Sequence, residues 1–331
     1  MSYVIGIDLG GTKIELGLIA PDNTVIARKR IAAQTEEGAT RVTERILEVI
    51  RDLELSLPRG EQLAAVGICG PGPLDNETGT FRDPPNIPGL HHAPLGPMLA
   101  EKLGVPVTLE HDAKAAALGE YHYGAGRGQK NMVYIVAGTG VGGAMIENGQ
   151  LIRGVQNAAG EIGHITLDRN GVVCNCGSRG CSQTYIAGPY LAKRYEEKQD
   201  KETRDKETRD KGQGEKSPSL LSAVSQSALT GEDIANLAKQ GDNVAQEVMC
   251  EAGEALGVMI AILAVTLDSE LYVIGGSVAK AGDLILQPAR DIAPQYALSS
   301  IAPRIKIVAS SLGDDAPLLG CAYLARQLSS K

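Results

Sequence analysis

Val4-Ile5-Gly6-Ile7-Asp8-Leu9-Gly10-Gly11-Thr12-Lys13 has a counterpart further along the chain, Met132-Val133-Tyr134-Ile135-Val136-Ala137-Gly138-Thr139-Gly140. Each is a short apolar run, the pattern of a buried strand, opening into a glycine loop that contains a threonine. The flanking segments match as well. After the first loop, Ile14 to Ala20 reads as a strand, Pro21-Asp22-Asn23 as a turn and Thr24 to Ile31 as a third strand. After the second, Ala144 to Glu147 reads as a strand, Asn148-Gly149 as a hairpin turn and Gln150 to Arg153 as the return. Strand, glycine loop, strand, turn, strand therefore occurs twice, an internal duplication of pattern.

Gly138-x-Gly140-x-x-Gly143 also fits the dinucleotide fingerprint, but that fingerprint needs a helix after the loop, and a hairpin follows here. No G-x-x-x-x-G-K-[ST] loop is present. A pair of glycine hairpin loops remains, one per half, whose backbone N–H groups can cradle phosphates. Either loop alone reads as an ordinary turn; two in equivalent places favour a phosphate clamp. Gly275-Gly276 lies after the apolar run Leu271-Tyr272-Val273-Ile274, where it lets a ligand approach the backbone or simply starts a helix.

Gly160-Glu161-Ile162-Gly163-His164 is followed by Cys174-Asn175-Cys176-Gly177-Ser178-Arg179-Gly180-Cys181. One His and three Cys in so short a span, joined by turn-forming residues, match a closed Cys₃His site for structural Zn²⁺ held by His164, Cys174, Cys176 and Cys181. Buried thiols or a disulfide are the alternative. A metal-bound imidazole keeps its second nitrogen for a hydrogen bond, and the metal fixes its orientation. Glu161, three residues earlier, offers an acceptor pair beside it, suited to a polyol; a turn cap or a surface ion pair explains it equally well.

The rest of the chain reads as alternating elements. A helix is expected over 38–57, a strand from Leu63 to Cys69, an irregular loop from Asp75 to Leu90, a helix ending at Leu103, a strand from Val105 to Leu109 and a helix through Lys114–Glu120. Asp283 to Ile292, Ile305 to Ala309 and Pro317 to Leu328 follow as helix, strand and helix. Lys201-Glu202-Thr203-Arg204-Asp205 repeats as Lys206-Glu207-Thr208-Arg209-Asp210, with acids four residues before bases, so 195–216 reads as a solvated helical insertion and Gly212 to Ser219 as a loop.

The 331 residues suggest two domains, and a formal net charge of -8 argues against a nucleic-acid partner. With no Trp and one Phe, a site built on aromatic stacking is not expected, and hydrogen bonds must do most of the recognition of any ligand. The N-terminus shows no secretory pattern, and the apolar run Ala255 to Leu267 reads as a buried helix, shorter than the about 20 residues of a membrane span. Cys69, Cys250 and Cys321 sit in apolar contexts and read as free thiols, which fits a reducing cytoplasm.

Together these pieces resemble the ROK family of sugar kinases and repressors, over nearly the whole chain apart from the charged insertion. Asp8 to Lys13 looks like the family's first phosphate loop, Ala137 to Gly143 like its second, Ile274-Gly275-Gly276-Ser277 like its adenosine segment, and Gly160 to Cys181 like its zinc motif. The resemblance implies an α/β, actin-like ATPase (ribonuclease-H-like) fold in two lobes, with ATP and sugar in the cleft. The small lobe is expected over 1–114, with a C-terminal helix at 315–331 packing back on it. The large lobe is expected over 115–314, carrying the zinc motif and the insertion. Family repressors carry a DNA-binding segment ahead of the first loop; Asp8 lies too near the start for one, which points to the kinase branch.

By the same resemblance, Asp112 is the general base that takes the proton of a hexose 6-hydroxyl, although an Asp at a helix start is in general more often an N-cap. Asp8, Gly10, Gly11, Thr12, Lys13, Gly138, Thr139, Gly140, Gly275 and Gly276 would bind ATP, with Asp8 facing Mg²⁺; Lys13 is equally a solvated strand-end residue. Asn86, His111, Glu161, His164 and Gln183 join Asp112 as substrate contacts. Two departures bear on the sugar. The family usually has Glu-Asn-Asp-Ala-Asn where this chain has Glu110-His111-Asp112-Ala113-Lys114, and Glu where Gln183 stands. The expected activity is an ATP-dependent hexokinase, with glucose the leading substrate. Kinases for fructose, mannose or an N-acetylhexosamine, polyphosphate as donor, and a non-catalytic sugar sensor are the alternatives. A homodimer or homotetramer is expected by analogy.

Overall fold

In a computed structural model of the chain, residues 2–211 and 229–329 are described. The loop expected over Gly212 to Ser219, and the end of the charged insertion from Gly212 onward, lie outside them. The chain divides into two compact units. The first comprises Met1–Tyr134, Gly143–Gly160 and Ser310–Lys331; the second comprises Ile135–Gly142 and Glu161–Ala309.

The first half runs β1 (Val4–Leu9), β2 (Lys13–Ile19), β3 (Val25–Ala32), α1 (Ala39–Glu54), β4 (Ala65–Gly70), β5 (Leu74–Asp75), β6 (Thr80–Phe81), α2 (Leu95–Leu103), β7 (Val107–His111) and α3 (Asp112–Tyr123). Its sheet has the order β3-β2-β1-β4-β7. β1 to β3 form the antiparallel meander that the turns dictate, and β4 and β7 join parallel to β1. β1 and β4 are buried almost along their length and read as continuous apolar runs, as expected for a sheet covered on both faces. The segment expected to be irregular over Asp75 to Leu90 contains instead the small hairpin of β5 and β6, whose two-residue strands are too short to leave a periodic signal.

The second half runs β8 (Met132–Ala137), β9 (Val141–Glu147), β10 (Gln150–Leu151), α4 (Gln183–Ile186), α5 (Gly188–Lys211), α6 (Gly231–Lys239), α7 (Asn243–Leu267), β11 (Leu271–Gly275), α8 (Asp283–Tyr296), β12 (Lys306–Ala309) and α9 (Ala316–Ser329). The second sheet, β10-β9-β8-β11-β12, repeats the order of the first: meander, then two further strands beyond its first member. The duplication seen in the sequence is thus a duplication of topology. A strand, β9, follows Gly140, which removes the helix a dinucleotide loop requires.

Glycines set how closely the helices pack. In the first sheet Gly6 pairs with Gly17 and Gly67, and a Cβ on Gly6 or Gly67 would stand 2.5 or 2.1 Å from a carbonyl of α9. α9 therefore lies directly on this glycine row, and Gly320 and Gly119 let it meet α3 equally closely. In the second unit Gly253 and Gly257 bring α7 against α8 in the same way. The apolar run expected from Ala255 belongs to a longer helix than its composition suggested. α7 has 25 residues, enough by length and composition to cross a membrane, and 67% of its apolar window is buried within the fold. The charged insertion begins, as expected, as helix: α5 runs to Lys211, and Lys198 pairs with Glu251 of α7 at 2.8 Å.

Candidate functional site

Within the first unit, three parallel strands end side by side. Register sets Asp8 opposite Cys69, Cys69 opposite Glu110, and Gly70 opposite His111. The carboxyl ends of parallel strands are where open α/β sheets bind ligands. Asp112 is the first residue of α3, directly after β7, and its side chain is 45% exposed. The Ala113 N–H donates to Asp112 Oδ1 at 2.6 Å, and His111 Nδ1 stands 3.0 Å from the same oxygen.

Burial lifts the Asp8 carboxyl to about 6, and the nearby charge of Asp112 adds to the lift. The Cys69 thiol donates to Asp8 Oδ1 at 3.6 Å, which opposes the shift. Cys69 itself stays protonated, because its hydrogen bond with Cys321, together with burial, holds it well above the usual thiol value. The first glycine loop opens beside this pair. Gly11, Thr12 and Lys13 are exposed, and the Gly10 N–H donates to Lys13 O at 2.9 Å. A Cβ on Gly11 would stand 2.7 Å from Asn86 O, so the loop and the Asn86 segment touch through backbone. Asp8, the loop, Asn86, His111 and Asp112 therefore belong to one unit of structure.

Beneath them lies a charged cluster that spacing alone did not reveal. Glu110, 1% exposed, accepts from its neighbour's His111 N–H, from Arg153 Nε at 2.9 Å and from Asn157 Nδ2 at 3.0 Å. Lys114, 2% exposed, donates to Asn157 O and Oδ1. Residues 153–157 are thereby tied to the β7–α3 corner that carries Asp112. At the other end of α3, buried Glu120 accepts from Ser310 Oγ, Ser311 Oγ and the Leu312 and Ala125 N–H groups.

In the second unit, Thr139 and Gly140 are exposed, the Gly138 N–H donates to Gly140 O at 2.9 Å, and the Gly188 N–H donates to Gly138 O at 2.8 Å. Gly276 has φ 88° and presses on Ala137, whose carbonyl oxygen would stand 2.2 Å from an added Cβ. The strand end Gly275-Gly276 and the second glycine loop are thus adjacent.

His164, Cys174, Cys176 and Cys181 also come together, their ligand atoms all within 4.8 Å of one another. Cys176 Sγ and Cys181 Sγ are 3.7 Å apart, and Cys174 Sγ lies 3.9 Å from His164 Nδ1. Tetrahedral zinc with Zn–S of about 2.3 Å sets its sulfurs about 3.8 Å apart, so the four residues fit that ion. All six cysteines are free thiols. Backbone hydrogen bonding at Ser178 pulls the Cys176 thiol down to about 6, whereas burial pushes Cys181 up to about 12. Such a pair holds one thiolate readily, and a divalent cation is the natural partner for the rest. Glu161 caps the turn that carries His164, its carbonyl accepting the His164 N–H at 3.1 Å. Gln183 opens α4.

The chain as a whole is similar to known proteins. The sequence model of the ROK family matches residues 4–328. A glucokinase of Halalkalibacterium halodurans is 34% identical over 98% of this chain and 95% of its own length. A glucokinase of Thermotoga maritima is 32% identical over 98% of this chain and 97% of its own. The crystal structure of a ROK family glucokinase from Streptomyces griseus, in complex with glucose and AMPPNP, superimposes with a TM-score of 0.79. It is 31% identical, covering 98% of this chain and 100% of that one.

Proposed function

Since this chain belongs to the ROK family, we propose that it is an ATP-dependent hexose kinase that phosphorylates the 6-hydroxyl of glucose. The observation that carries this reading is the placing of Asp8 and Asp112 at the carboxyl ends of strands of one sheet, with the exposed glycine loop directly after Asp8's strand. Phosphoryl transfer asks a protein mainly for positioning and charge stabilisation, plus one base for the attacking hydroxyl. Asp112 is that base. Its Oδ1 is occupied by the Ala113 N–H, so Oδ2 accepts the 6-hydroxyl proton. The sugar oxygen bonds to the γ-phosphorus as the β,γ-bridging P–O bond breaks, and ADP departs with that electron pair.

Asp8 is the seat for Mg²⁺, which when bound supplies positive charge to the phosphates. A buried carboxylate that resists ionising next to Asp112 is stabilised by such a cation. The exposed residues Gly11 to Lys13 of the first loop and Thr139 and Gly140 of the second would offer N–H groups to phosphates, and Gly275-Gly276 would leave room for the nucleoside. Asn86, His111, Glu161 and His164 are the sugar contacts. His164, Cys174, Cys176 and Cys181 would hold a structural zinc; Nδ1 lies on the Cys174 side, so His164 would keep Nε2 for a sugar hydroxyl. The relatives that act on glucose, near full length, support glucose as substrate. The free thiols support a cytoplasmic location.

The test is ADP release from ATP and Mg²⁺ with glucose, fructose, mannose, N-acetylglucosamine and N-acetylmannosamine in parallel, and with polyphosphate as a second donor. Release dominated by glucose is expected. Asp112→Asn should lower kcat by about 100-fold or more while calorimetry still registers glucose binding. Near-normal turnover in that variant removes Asp112 from the base role. Release with none of these sugars sinks the kinase reading.

A further inference from the structure

Gln183 stands where the family resemblance implies a sugar contact, but its amide is engaged elsewhere. Nε2 donates to Cys174 Sγ at 2.9 Å. Oε1 is the atom nearest the open face of Gly140, 3.6 Å from where a Cβ would stand. A metal-bound thiolate only accepts, so the N–H end of the amide belongs on the sulfur and the oxygen on the loop side. Glutamate in this place has no donor at neutral pH and would set a negative oxygen against a negative sulfur.

We propose that Gln183 is a positioning residue of the metal knot, donating to the Cys174 thiolate. This rests on the zinc reading of His164, Cys174, Cys176 and Cys181, and is independent of which sugar is phosphorylated. Hydrogen bonds from outside the ligand set orient metal ligands and tune their donor strength, and their loss typically costs about 10–100-fold in metal affinity.

The experiment compares the native protein with Gln183→Glu and Gln183→Leu. Each is loaded with zinc, freed of excess and titrated with a chelator, without sugar or nucleotide, and circular dichroism checks the fold. Gln183→Glu should surrender zinc at chelator concentrations about 10–100-fold lower than native. Gln183→Leu, which loses the donor without adding charge, should fall between the two and decides the matter if the Glu variant does not fold. In the cobalt-loaded protein, the thiolate-to-metal charge-transfer band should shift in Gln183→Leu. Native-like zinc retention in both variants, or an unmoved cobalt band, overturns the proposal. So does a Leu variant with a raised glucose KM and unchanged zinc release, which returns Gln183 to the sugar. A native protein that takes up no zinc overturns the metal reading itself, an outcome separate from any failure of the kinase assay.

Discussion

The Lys114 ammonium rests on both oxygens of Asn157, a buried contact between residues 43 apart in sequence. It holds residues 153–157 to the first turn of α3, which begins with Asp112. Lys114→Met keeps much of the volume but leaves the Asn157 carbonyl without its cationic donor. A loss of roughly 1.5–3 kcal/mol is expected, the range for hydrogen bonds to charged groups. Urea denaturation should show a lower midpoint with an unchanged slope.

The pKa of Asp8, about 6, lies above the ordinary 3.8 that it recovers on unfolding. Folding therefore favours the protonated carboxyl. That contribution is fully present below about pH 3.8 and is lost as pH rises through about 6, leaving a cost of up to about 3 kcal/mol at neutral pH. Asp8→Asn should accordingly be more stable than native at pH 7, with the gap closing toward pH 4. Thermal melts at the two pH values check the sign. MgATP should raise the melting temperature of the native protein and not of the variant.

Cys176→Ser should lower zinc content and glucose affinity together, because a zinc ion held by this cluster would fix the His164 imidazole in place. Zinc analysis and calorimetry on one preparation decide it. Zinc lost with glucose affinity intact would separate His164 from the sugar.

Gly11→Ala should raise the KM for both substrates. The new methyl would lie 2.7 Å from Asn86 O, so either the phosphate loop or the Asn86 segment must move. Steady-state kinetics with each substrate varied in turn would detect the shift, and native-like values would show that the loop yields freely.

The two meanders, the glycine loops and the cluster of His164 with three cysteines were legible in the sequence because each is local: period-two apolar runs, turn residues and closely spaced thiols. What was not legible is held by distance. Glu110 and Lys114 read as ordinary charged residues, and their partners Arg153 and Asn157 lie more than forty positions away. Glu120, in an alanine-rich helix, gave no sign that it is buried, because the serine that donates to it is 190 residues further on. The start of α7 was missed for another reason. Glu247, Glu251 and Glu254 interrupt its apolar run, yet the helix continues through them with Val244, Val248 and Leu256 facing inward. The role of Gln183 likewise depends on where Cys174 and Gly140 stand in space.

The seating of α9 on the glycine row of the first sheet bears on how the chain is made. β1, which carries Asp8, leaves the ribosome long before α9, which covers it. The first unit cannot complete its core while the C-terminus is still being synthesised, although intervening residues of the second unit are already available. Translation that stops short of Ala316 therefore leaves the first sheet without the helix that lies on its glycine row.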